Sequence, residues 1–265
     1  MRILAFSDLH LGHPGWDGFG DKVLELAVGM ARDHRPDIVL FGGDLCEPGG
    51  TVHLEDALYR LSKVTPGHIL WVIGNNDLEH LTNRGLSLLE YPQILQTIAS
   101  PFGIRVLDHT NFYFNEYAFV GGFGGWDYSL WRPPVKHDPK YPDTFEEFKL
   151  RMDQEFKVSG FPVSNEALFS LCQKDLRTHL SQVPGNFKMI LTTHTVPTPE
   201  FLLYGHSPDF DFQNAFMGWD SSESPLHLDQ NLVAQFCGHI HRSTGIKRPG
   251  FPDLINLSGK NQPRL

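Results

Sequence analysis

The sequence predicts a layered α/β fold with a mainly parallel central sheet, and three observations carry that prediction. Short apolar runs rich in Ile, Val, Leu and Phe recur along the chain, each suited to a strand buried on both faces. Amphipathic helical segments separate the first of these runs, so the N-terminal half reads as βα units. Five of the runs end on residues able to ligate a metal, and open α/β sheets build their sites at the carboxyl ends of strands.

In order, the first strand ends at Phe6 and enters Ser7-Asp8-Leu9-His10. Asp21 is the expected cap of a helix with Val23, Leu24, Ala27, Val28 and Ala31 on one face. Asp37–Phe41 runs into Gly42-Gly43-Asp44, and Leu54–Val64 reads as a helix carrying Leu54, Ala57, Leu58 and Leu61 inward. His68–Ile73 runs into Gly74-Asn75-Asn76-Asp77. A further helix begins near Pro92, a good first-turn residue, with Ile94, Leu95 and Ile98 inward. Ile104–Leu107, Phe112–Phe114 and Ala118–Val120 are short strand candidates consistent with a second sheet.

Beyond the glycine run at 121–125, Asp143 with Glu146 resembles a capping box, ahead of a stripe of Phe145, Phe148, Met152 and Phe156. Ser164 is the expected cap of the next helix, with Leu168, Leu171, Cys172 and Leu176 inward. The chain is read as one domain over 1–265. A lid-like insertion around 124–162 is one expectation, and a helical layer packed on the sheet is the other. Met189–Leu191 then leads to Thr192-Thr193-His194, and Leu232–Phe236 to Cys237-Gly238-His239-Ile240-His241.

The 265 residues include 31 acidic and 22 basic ones, a formal charge of −9. That balance weighs against long nucleic acid as a partner, because such binding needs Lys and Arg to neutralise phosphates. Three cysteines without a Cys-x-x-Cys pair suit a reducing compartment. The first strand begins almost at Met1, leaving no room for a signal peptide, and no apolar run has the length of a membrane span. The expectation is a cytoplasmic protein that does not enter a membrane.

Asp8 and His10 are two apart, so at a strand end both side chains point the same way. His239 and His241 repeat the spacing. Asp44 follows a glycine pair that allows a sharp turn, and its two oxygens can bridge two cations. Asn75 offers a carbonyl oxygen and His194 a nitrogen. Oxygen and imidazole donors without thiolate suit Mn, Fe or Zn.

The ordered set Asp-x-His, Gly-Asp, Gly-Asn-x-Asp, His and Gly-His-x-His, spanning Asp8 to His241, resembles the calcineurin-like metallophosphoesterase superfamily. The resemblance implies a four-layer αββα sandwich with two mixed sheets and a dinuclear site at the strand ends. It implies two divalent or trivalent metal ions: one held by Asp8, His10, Asp44 and His241, the other by Asp44, Asn75, His194 and His239. It also implies attack on a phosphate ester by a metal-bridging hydroxide.

One position departs from the family pattern. Asn76 stands where the family usually has the histidine that protonates the leaving group, and an amide cannot transfer a proton. A preference for good leaving groups follows, or a substitute acid, with His13 nearest in sequence and His80 and His206 further off. Asn76 remains a candidate contact for phosphate. Asp77 normally orients the missing histidine, and without it reads as a cap. Trp126 and Arg132 are candidate substrate contacts, although Trp126 reads first as core packing. The function expected is a phosphodiesterase acting on a small or activated ester. A phosphomonoesterase, a nuclease and a non-catalytic interaction module that keeps the fold are the alternatives.

Overall fold

The computed structural model describes residues 1–64, 67–83, 85, 90–134, 137–155, 164–221, 231–242, 244–247 and 252–258. The first half contains β1 (Ile3–Phe6), α1 (Phe19–His34), β2 (Ile38–Phe41), α2 (Leu54–Leu61), β3 (His68–Trp71), α3 (Asn75–Asn83), α4 (Tyr91–Ala99) and β4 (Ile104–Val106). The four strands lie in the order β1-β2-β3-β4. Ile3 pairs with Ile38, Ile38 with His68 and Ile69 with Ile104, all in parallel. Helical crossovers return the chain to the same end of the sheet each time, so this sheet is wholly parallel rather than mixed. β4, expected in the second sheet, closes the edge of the first. The helix before it packs back, with Leu95 and Ala99 in one core with Ile104 and Val106.

The second half contains β5 (Phe112–Phe114), β6 (Tyr117–Gly122), α5 (Phe145–Glu155), α6 (Asn165–Ser181), β7 (Lys188–Thr193), α7 (Pro208–Asn214), β8 (Leu232–Cys237), β9 (Thr244–Ile246) and β10 (Asp253–Asn256). Its six strands run β5-β6-β7-β8-β10-β9, parallel in the centre and antiparallel at both edges.

Alternation along the strands sorts the core into layers. Val39, Phe41, Ile69 and Trp71 face the helices, whereas Ile38, Leu40, Leu70 and Val72 meet Phe119, Ile190 and Phe236 of the second sheet. The far side of that sheet packs Ala118, Val120, Met189 and Leu191 against Leu176 of α6. Helix, sheet, sheet and helix are thus stacked as expected.

Local details differ from expectation at α1, α5 and α6. α1 begins after Gly18, whose φ is 69°. Asp21, the expected cap, lies inside the first turn and pairs with Arg60. The box at α5 is displaced by one residue: Thr144 Oγ1 accepts from Glu147 N, and Glu147 Oε2 accepts from Asp143 N, both at 3.2 Å. Ser164 caps α6 as expected, accepting from Ala167 N at 3.2 Å. Leu171, expected inward on α6, is 40% exposed, because Leu168, Cys172 and Leu176, four apart, already fill the buried stripe.

Within the 124–162 segment, Tyr128, Trp131 and Phe148 are buried in an aromatic cluster with Phe212 and Phe216. Residues 156–162, and with them Phe156, lie outside the described residues, as does the Met152 side chain.

Candidate metal centre

Strand ends of both sheets bring the site together. Asp8 and His10 follow β1, Asp44 follows β2 and Asn75 follows β3, all in the four-stranded sheet. His194 follows β7, and His239 and His241 follow β8, in the six-stranded sheet. Two groups form: Asp8, His10 and His241, and Asp44, His194 and His239, each with ligand atoms within 4.8 Å of one another. Each group therefore draws on both sheets.

The first group is tight. His10 Nε2 lies 3.0 Å from His241 Nε2, and His241 Nε2 lies 3.4 Å from Asp8 Oδ1. In the second, His194 Nε2 is 3.2 Å from His239 Nδ1, 3.1 Å from Asn75 Oδ1 and 3.4 Å from Asp44 Oδ2. Asp44 Oδ2 is also 3.7 Å from His10 Nε2, which places that oxygen between the groups. A carboxylate so placed has an oxygen within reach of both groups.

The backbone is forced to reach this geometry. Asp8, His10, Asp44, His239 and His241 all have φ between 44° and 72°, in the left-handed region that L residues seldom occupy. Gly43, with φ 100°, is indispensable, because a Cβ there would collide with the His194 ring.

Charge and burial set the titration of the cluster. Burial would raise Asp8 and Asp44, but the neighbouring imidazoles outweigh it and hold both below the usual carboxylate range. Burial disfavours the His194 imidazolium, yet Asp44 and Asp8 raise it to about 10. Burial and repulsion from His194 lower His239 to about 4.

Ring orientations are fixed from behind. His194 Nδ1 donates to the Gly42 carbonyl at 2.8 Å, and His239 Nε2 donates to the Phe216 carbonyl at 3.1 Å. His10 Nδ1 lies 2.9 Å from Glu47 Oε2. Each contact holds a ring proton on the far nitrogen, so that a cation displacing any proton on the near nitrogen would meet a lone pair there. Cys237 belongs to neither group; its thiol is buried against Asn256, and burial pushes it up to about 12. Oxygens from Asp8, Asp44 and Asn75 with imidazoles from His10, His194, His239 and His241 fit hard-to-borderline cations of the Mn, Fe or Zn kind.

The other expected residues are placed as follows. Asn76 lines the cavity beside the groups. Asp77 is fully buried behind Asp44, where its carboxylate accepts from the N–H groups of Gly74, Asp44 and Leu45 at 2.9–3.0 Å. Its neighbourhood is backbone, consistent with the capping role. His13 packs edge-on to His10 with ring centres 6.4 Å apart, and does not line the cavity. His80 Nε2 contacts Cys46 Sγ at 3.0 Å, and His206 packs on Phe210.

Trp126 lies nearly parallel to His239, with ring centres 6.2 Å apart, and so backs a ligand instead of lining the cavity. Arg132 is exposed, donating to the carbonyls of Ser129 and Trp131. Its guanidinium is thus turned to its own loop, whereas Arg242 lines the cavity. Arg242 directly follows the ligand His241, the one sequence signal that marks it. Glu47 and Trp16, whose ring centre is 4.6 Å from that of His10, carry no signal in the sequence.

The cavity has a volume of about 710 Å3. It joins His10, Asp44, Asn75, His239 and His241 to an apolar wall of Phe201, Leu202, Leu203, Phe210, Met217 and Ile240. Leu203 and Phe210 remain 47% and 41% exposed at its rim, well above what their apolar character favours.

Residues 1–243 match the family model of the calcineurin-like phosphoesterases. The chain belongs to that family, whose members are metal-dependent hydrolases. Solved structures share the fold. A phosphopantetheinyl hydrolase from Mycobacterium tuberculosis is 20% identical with a TM-score of 0.70, covering 98% of this chain and 90% of that one. The Thermus thermophilus protein TT1561 is 15% identical with a TM-score of 0.55, covering 98% and 90%. A dimetal phosphatase from Danio rerio is 13% identical with a TM-score of 0.52, covering 98% and 88%. No helix among the described residues is long and apolar enough to cross a membrane.

Proposed function

We propose that this chain is a cytoplasmic phosphodiesterase for a small organic ester, using two Mn, Fe or Zn ions held by the two groups. When bound, such cations supply a water nucleophile near neutral pH and offset the charge of phosphate. The observation that carries the reading is the apolar wall meeting the metal groups in one cavity. A phosphate with a single small substituent would leave that wall uncovered, whereas a diester has a second arm to lay on it.

The chain's own residues then have defined tasks. Phe201, Leu203, Phe210 and Met217 exclude water from the arm. Arg242 donates to the Phe201 carbonyl and has no carboxylate partner among the described residues, which leaves donors for a phosphoryl oxygen. Among the described residues, every histidine and carboxylate lining the cavity already belongs to one of the groups. Among the described residues, no proton donor of these types is left in the lining for the leaving oxygen, and general acids typically contribute about 10²–10⁴-fold. This supports esters whose leaving group departs unprotonated.

The test is a Mn²⁺-supplemented assay comparing bis-aryl, mono-aryl and alkyl aryl phosphates, with a phosphopantetheinyl diester as a long-armed candidate. The expected result is a kcat/KM for diesters at least about tenfold above that for monoesters. Faster monoester turnover would overturn the diester reading in favour of a phosphomonoesterase. No bound metal and no turnover on any ester would favour the interaction module.

A further inference from the structure

We infer that one carboxylate, Glu47, sets the ligand orientation at both metal positions, acting as a positioning residue through His10 on one side and Asn76 on the other. The inference rests on the two metal groups and is independent of which ester is cleaved.

The argument is one of hydrogen-bond polarity. An ionised carboxylate only accepts. Glu47 Oε2 lies 2.9 Å from His10 Nδ1 and 2.9 Å from Asn76 Nδ2. Those two nitrogens are themselves 2.9 Å apart, so both donors converge on one oxygen. Facing His10, the carboxylate requires the proton on Nδ1, so Nε2 offers its lone pair to the first group. Facing Asn76, it requires the amide nitrogen, because an amide oxygen there would meet another acceptor.

The polarity then propagates. With its nitrogen on Glu47, Asn76 must turn its oxygen away, and that oxygen accepts from Asn75 Nδ2 at 2.7 Å. Asn75, with its nitrogen so engaged, must turn Oδ1 toward the second group, where it lies 3.1 Å from His194 Nε2. An amide flipped the other way would present N–H donors to a cation and could not bind it. Asn76 is further held by its backbone N–H, which donates to Asp44 Oδ1 at 2.9 Å.

Asn76 is therefore a link in a relay, with both ends of its amide occupied. This also accounts for an amide at this position. A carboxamide carries its donor and its acceptor on one carbon, so a short side chain serves Glu47 and Asn75 together.

The experiment is Mn²⁺ titration of the metal-free full chain by isothermal calorimetry, with stoichiometry checked by elemental analysis. Glu47→Gln keeps shape and removes the acceptor-only character. The expected result is a loss of about 10–100-fold in affinity at both sites. Asn76→Ala should weaken one of the two sites and leave the other within about twofold, since it cuts only the Asn75 branch. Melting of the metal-free variants reports folding separately from binding. Wild-type affinity at both sites in Glu47→Gln overturns the inference. So does equal weakening of both sites in Asn76→Ala, which remains decisive if Glu47→Gln fails to fold.

Discussion

The backbone N–H of Asp44 donates to Asp77 Oδ2 at 3.0 Å, so the proposed bridging carboxylate is held from behind by a second one. Asp77 also takes the N–H groups of Leu45 and Gly74 and is fully buried. Burial and the charge of Asp44 raise it to about 7 against the opposing pull of those N–H groups.

Asp77→Ala strands the buried donors of Asp44, Leu45 and Gly74. Each unsatisfied group costs about 1–3 kcal/mol. The expected loss is at least about 3 kcal/mol in urea unfolding of the metal-free chain. A loss below about 1 kcal/mol would show that water replaces the carboxylate and that the turn is not held by it.

Trp126→Leu separates a ligand support from a substrate platform. The ring lies on His239 at an interplanar angle of 9° and outside the cavity lining. KM should stay within about twofold while kcat falls, because a loosened ligand disturbs chemistry more than ester binding. A rise in KM at constant kcat would restore the platform reading.

Arg242 and Arg132 make a paired test. Arg242→Ala should lower kcat/KM by about 10–100-fold, the value of a charged hydrogen bond of roughly 1.5–3 kcal/mol. Arg132→Ala, on the exposed loop, should leave it within about twofold. The opposite order of effects would assign the phosphate contact to Arg132.

Asp108 gives a pH signature in stability. Burial pushes it up to about 7, although Ile73 and Phe123 donate N–H groups to it. Between about pH 4 and 7 the folded chain keeps a proton that the unfolded chain releases, so stability falls as pH rises, by at most about 1.4 kcal/mol per unit. Above about pH 7 this contribution is flat. The difference between wild type and Asp108→Asn in chemical unfolding isolates it, and a difference independent of pH across that window would refute the assignment.

Much of this molecule is legible in the residue pattern, for identifiable reasons. The ligand candidates can be read because each sits at the end of an apolar run, where chain geometry leaves little choice of location. The helix faces follow from spacing alone, apart from Leu171, since periodicity does not say how wide a stripe the sheet will cover. β9 and β10 escape such a reading because strands of three and four residues beside Pro and Gly carry too little pattern. Glu47 and the apolar wall are invisible in the sequence because both are defined by long-range contacts. Glu47 meets His10, 37 residues away, and the wall is assembled from the segment between β7 and β8, α7 included, and from the turn after β8.

Because each cation group takes donors from both sheets, loading the protein cross-links them across their shared core. Ligation at a hundred times the dissociation constant adds about 2.7 kcal/mol to global stability. Here it should also couple the two halves mechanically. Chelation is expected to let hydrogen exchange quicken first at the carboxyl ends of β1, β2, β7 and β8, while the interiors of β2 and β7 stay protected around Leu40 and Ile190.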